Sequence, residues 1–139
     1  MNNETEALTA VTRTQLDQVS RALLRLHKAL LDDERVIYET ANGAVASPHE
    51  MFRLVLGHPQ FTWLGKISSL IALMDEAASV RRPATEATAQ GLLAEARALL
   101  QPENDDPTFG ERLQRVLKRS AEAKAQHEAA LQILLAESE

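Results

Sequence analysis

TQLDQVSRALLRLHKALLDDERVIYETA, residues 14–41, sets Leu16, Val19, Leu23, Leu26, Leu30, Ile37 and Ala41 at alternating three- and four-residue steps, with only Asp33 out of line. Residues at that spacing share one face of a helix, because 3.6 residues complete a turn. The stretch predicts one amphipathic helix, roughly 42 Å long at 1.5 Å per residue. Asn42 and Gly43 close it, since both tolerate the left-handed backbone that ends many helices. A leucine stripe of this length must be buried against other helices.

Its partners follow in order. Ser47-Pro48-His49-Glu50 reads as a capping box, opening a short helix that ends at Leu56 before Gly57. His58-Pro59 starts a third helix, about 60–79, with Trp63, Leu64, Ile67, Leu70, Ile71, Met74 and Ala78 on one broad face; Arg82-Pro83 breaks the chain. The fourth, about 84–101, offers Leu92, Leu93, Ala96, Leu99 and Leu100. Pro102 begins an acidic loop, and Asp106-Pro107 caps a fifth helix to about Ala136 with Phe109, Leu113, Val116, Leu117, Leu131, Leu134 and Leu135 inward. Strand-like alternation is absent from the sequence. The expected fold is all-α, an antiparallel four-helix bundle with one additional short connector helix. Residues 1–13 are expected to be a flexible N-terminal segment and 14–139 a single domain. The first and fifth helices outrun the others by about 15 Å, an overhang that the connector or a second subunit should cover.

Composition agrees. Aromatic residues make up 4% of 139, so Leu, Ala, Ile and Val must fill the core, a helix-favouring mixture. The net charge of -5 argues against nucleic acid, whose usual footprint is a basic stripe. The absence of cysteine excludes a disulfide frame and a thiolate nucleophile and fits a reducing compartment, with the cytoplasm as the default. No apolar run approaches the ~20 residues of a membrane span, and residues 1–10 lack a signal-peptide pattern.

Three segments, 26–35 (LHKALLDDER), 58–64 (HPQFTWL) and 70–76 (LIALMDE), resemble a family of short uncharacterised bacterial helical proteins. The resemblance covers roughly residues 20–101. It implies a bacterial, cytoplasmic origin and carries over no catalytic or binding residue.

Several residues break the leucine pattern. At 100° per residue the apolar arc of the first helix also holds His27 and Glu34, that of the fifth holds His127, and Asp75 borders that of the third. Placing Gln60 level with Ala41 brings Asp75 level with His27 and His127 close by, so His27, Glu34, Asp75 and His127 form a candidate buried polar cluster. Such groups survive burial when paired, hydrogen-bonded or metal-bound. The preferred reading is structural; the alternative is a divalent metal or small ligand at His27, Asp75 and His127, two imidazoles and a carboxylate. Against a metal, Glu-x-x-His and His-x-x-x-His pairs are absent, and no metal or cofactor is expected. His49 and His58 read as turn or cap residues.

Small residues line two outer seams: Gly65, Ser69 and Ala72 on the third helix, and Ala84, Ala87, Gly91, Ala94 and Ala98 on the fourth. They are a candidate interface or simply a solvated alanine face. Arg112, Arg115, Lys118 and Arg119 form a basic stripe, read as a solvated face. With no Gly-x-Ser-x-Gly elbow or phosphate-cradling loop, the expectation is a non-enzymatic interaction protein that self-associates or binds another protein.

Overall fold

A computed structural model describes residues 6–101 and 106–136. Among them lie seven helices: α1 (Ala10–Asn42), α2 (Pro48–Gly57), α3 (Pro59–Thr62), α4 (Gly65–Ala77), α5 (Glu86–Leu100), α6 (Pro107–Arg119) and α7 (Ala121–Ala136). The protein is all-helical over this range, with one isolated bridge between Ala7 and Thr85 in place of any strand. No helix among the described residues is long and apolar enough to cross a membrane.

The leucine stripe folds inward as its spacing dictates. Leu16, Val19, Leu23, Leu26 and Leu30 are fully buried, each stabilising the fold by about 1.5–3 kcal/mol relative to exposure. They meet Leu64, Ile67, Leu70 and Met74 of the α4 segment, Leu93, Ala96 and Leu100 of α5, and Ala123, Ala130 and Leu134 of α7 in one core. α1 packs on α4 and α7, and α5 packs on α4, α7 and α1. The stripe stops at Glu34, because Ile37 and Ala41, expected inward, are exposed.

Several caps form where the sequence places them. Ser47 Oγ accepts from Glu50 N, and Asp106 Oδ1 accepts from Phe109 N. Gly43 takes φ +86° and donates its N–H to Glu39 O. In the capping box, Glu50 accepts from Ala46 N, one residue before the expected Ser47 amide.

Four features depart from the expectations. First, α1 begins at Ala10, inside the stretch 1–13 expected to precede the domain. Thr9 caps a helix beginning at Ala10, and the Thr12 hydroxyl donates to Glu86 Oε2 at 2.5 Å while Thr9 N donates to Glu86 Oε1 at 2.9 Å. Residues 1–5 lie outside the described residues. Burial alone would raise the Glu86 carboxyl, yet the hydrogen bonds from Thr12, Thr9 and Gln90 outweigh it and hold it below the usual range.

Second, the third helix is interrupted at Trp63 and Leu64, giving α3 and α4. Third, its register differs by seven residues. Gln60 bonds Glu34 instead of lying level with Ala41, and Asp75 bonds Ser20 instead of lying level with His27. Both rungs slide along α1 by the same two turns.

Fourth, the fifth helix is broken at Ser120, which takes φ −120° and ψ 110°. Packing of its two halves on different partners supplies the reason. His127 Nε2 lies 2.8 Å from Leu100 O, and α7 lies along α1 and α5. α6 lies instead at the Trp63 end of the core, where Lys66 holds Asp106 at 2.6 Å beside the start of α4. α6 then covers Trp63 with Phe109, ring centroids 5.5 Å apart, so it is α6 that closes this end of the core.

Candidate functional site

Glu34 is 3% exposed and forms the centre of a polar junction. Trp63 Nε1 donates to its Oε2 at 2.8 Å, and Gln60 Nε2 and Arg119 Nη2 donate to its Oε1 at 2.9 and 3.0 Å. Arg119 Nε donates in addition to Asp33 Oδ2 at 2.7 Å. One guanidinium thus spans both acids, a fork that a lysine could not reproduce. The junction ties α1 to α3 and to the last residue of α6. With both carboxylate oxygens engaged, Glu34 positions Trp63 and Arg119. Beside it the Tyr38, His58 and Phe61 rings meet edge-on or tilted, with centroids 5.2 to 6.1 Å apart, and His58 Nδ1 accepts from Gln60 N, the cap role expected of it.

The other members of the expected cluster sit elsewhere. Asp75 is exposed and accepts from Ser20 Oγ at 2.6 Å. Ser20 and Glu34 are about 21 Å apart along α1 at 1.5 Å per residue, so the single cluster of His27, Glu34, Asp75 and His127 does not assemble. The seven-residue slide of register is the cause. His127 is buried and donates from Nε2 to Leu100 O, since a carbonyl can only accept. His27 is half-buried, and no hydrogen bond or ring contact joins it to His127. Among the described residues no group of three or more His, Asp or Glu side chains is placed to hold a metal ion.

Burial lowers the His27 imidazole from its ordinary 6.5. The folded chain therefore binds fewer protons than the unfolded chain as pH falls through about 6.5 toward the lowered value, and stability declines over that window; above it the penalty is absent. His27→Gln is expected to flatten the stability profile between about pH 7 and pH 5, measured by urea unfolding at a series of pH values.

The small-residue seams face outward. Ser69, Ala72, Gly91, Ala94 and Ala98 are exposed, Gly65, Ala84 and Ala87 half-buried, and a methyl added at Gly65 or Gly91 would meet nothing within 4 Å. Gly91→Ala is expected to stabilise the chain by about 0.5–1 kcal/mol through reduced backbone freedom, read as a raised urea midpoint at unchanged slope.

An uncovered apolar surface around α2 was missed by sequence reasoning. Although α2 is amphipathic, it has no buried residue. Phe52 and Leu56 are 60% and 66% exposed, and Val36 on α1 is 61% exposed. Between them runs a groove of about 560 Å³ whose walls include Leu31, Arg35, Val45, Met51, Phe52 and Val55. The signal was the overhang of α1, whose last two turns meet α3 through Tyr38 but leave Val36 and Ile37 exposed. Comparison with family models, curated proteins and solved structures found no significant match.

Proposed function

We propose that this chain is a non-enzymatic interaction protein, arranged as an antiparallel four-helix bundle of α1, α4, α5 and α7, that self-associates through the face formed by α2 and the end of α1. The ring of packing from α1 to α4 to α5 to α7 and back to α1 supports the bundle. The interaction reading rests on one observation: a ten-residue amphipathic helix with Phe52 and Leu56 turned to solvent.

A second copy suits this face because its charges are self-complementary. Arg35, which pairs with Glu39 at 3.5 Å on its own helix, and Arg53 share these two helices with Glu39 and Glu50, so two copies related by a twofold axis can exchange such pairs for ones across the axis. The bacterial, cytoplasmic setting implied by the sequence resemblance belongs to the same proposal. A ligand site at His27, Asp75 and His127 is not part of it, since the register separates those groups.

Sedimentation of the wild type at high micromolar concentration is expected to show a rapidly exchanging dimer. Phe52→Glu with Leu56→Glu is expected to give a monomer of unchanged helix content, because a charge in an apolar interface stays unpaired. A wild type that stays strictly monomeric rejects self-association through this face. Dimers of the double variant identical to those of the wild type place any contact elsewhere.

A further inference from the structure

We propose that α7 is exchangeable between two copies of the chain, with Ser120 as the hinge. The break at Ser120 runs against its local sequence. Val116-Leu117-Lys118-Arg119 before it and Ala121-Glu122-Ala123-Lys124-Ala125 after it are mostly strong helix formers, and neither glycine nor proline interrupts them. Ser120, a favoured N-cap residue, is the one local signal for the bend, and the packing of α6 and α7 on different partners completes it. Such a conflict between local preference and global fold, concentrated in one residue, favours exchange of the element beyond the hinge.

The bent form breaks the helical ladder. Ser120 ends α6 with its N–H on Val116 O and starts α7 by accepting from Ala123 N on its hydroxyl at 3.1 Å. A straight α6–α7 helix would exchange that hydroxyl cap for backbone bonds from Ala121, Glu122 and Ala123 to Leu117, Lys118 and Arg119, each four residues back. α6 itself need not move. Asp106 on Lys66, Phe109 on Trp63 and Arg119 on Asp33 and Glu34 hold it in place.

Straightening would swing α7 out of its slot between α1 and α5 and uncover its buried Ala123, His127, Ala130 and Leu134. The occupant that fits the vacated slot is the same helix from a second copy. Its His127 would meet Leu100 O of the other chain as it now meets its own. This route is independent of the α2 face, and the two dissociate differently, because exchange requires the slot to open first.

Two substitutions at the hinge act in opposite directions. Ala121→Pro suits the bent form, since proline is favoured at the first turn of a helix and the preceding Ser120 is already extended. It opposes the straight form, where the ring would strike the Leu117 carbonyl. Ser120→Ala removes the hydroxyl cap and improves helix propensity. Each chain is refolded at high and low protein concentration, diluted, and followed by light scattering and sedimentation.

The wild type refolded at high concentration is expected to yield a dimer that dissociates slowly on dilution. Ser120→Ala should raise its fraction severalfold, Ala121→Pro should yield monomer with the wild-type helical spectrum, and Phe52→Glu with Leu56→Glu should leave it intact. Slow dimer formed by Ala121→Pro as readily as by the wild type overturns the exchange. Its absence from both the wild type and Ser120→Ala overturns it equally, whatever the folding of the proline variant.

Discussion

Glu34→Leu is expected to lower the free energy of unfolding by roughly 3 kcal/mol, measured by urea denaturation. Leucine matches the stripe that Glu34 interrupts, so on hydrophobicity alone the change would look neutral or stabilising. The neighbours decide otherwise. Arg119 would lose one of the two carboxylates it spans, Gln60 would lose its acceptor, and Trp63 Nε1 would be left with the Gln60 carbonyl at 3.1 Å. Asp33 and the partial exposure of Arg119 keep the loss below that of a fully orphaned charge. Glu34→Gln, which keeps shape and one acceptor oxygen, should lose about 1–2 kcal/mol. A leucine variant as stable as the wild type would show that the donors find water instead.

Phe109→Ala is expected to cost about 3–5 kcal/mol, the range for deleting a buried phenylalanine. Phe109 is 2% exposed and is the ring that α6 lays against Trp63. Its removal opens a cavity beside the indole, so Trp63 emission should shift to the red in the folded state. Phe109→Leu, closer in volume, should lose less than half as much. Because Trp63 touches both Phe109 and Glu34, the double variant should lose less than the sum of the two single changes.

The all-helical class and the core side of most helices could be read from spacing and capping residues, since both follow from local geometry. Leu16 through Leu30, Leu64 through Met74, and Asp106-Pro107 behave as their neighbours in sequence dictate. What sequence could not supply was level. The periodicity of α1 says which side faces in, yet it is indifferent to a slide along the axis, and a slide of two turns leaves every face unchanged. That is why Asp75 met Ser20 instead of His27 and the expected polar cluster dissolved. Glu34 kept its place inside because its position depended on face alone.

The bend at Ser120 was illegible for a related reason. It lets α6 cover Trp63 while α7 lies on α1 and α5, and no window of sequence around Ser120 carries those distant contacts. Arg119, read as part of a solvated stripe, became the partner of Asp33 and Glu34 through the same bend. A clue lay in the two adjacent acids: Asp33 is the one residue out of line in the leucine stripe and Glu34 stands within its arc, so a distant cation was required.

The link from Glu34 to Arg119 crosses 85 positions of sequence. During synthesis α1, α3 and α4 are complete long before that guanidinium exists, and the Ser20 to Asp75 rung can already form. Until Phe109 and Arg119 emerge, the indole of Trp63 and the carboxylate beside it have no roof. The nascent protein therefore carries a wet, acidic opening beside Trp63, and its closure by α6 is expected to be the event that indole fluorescence records when the chain is refolded by rapid dilution.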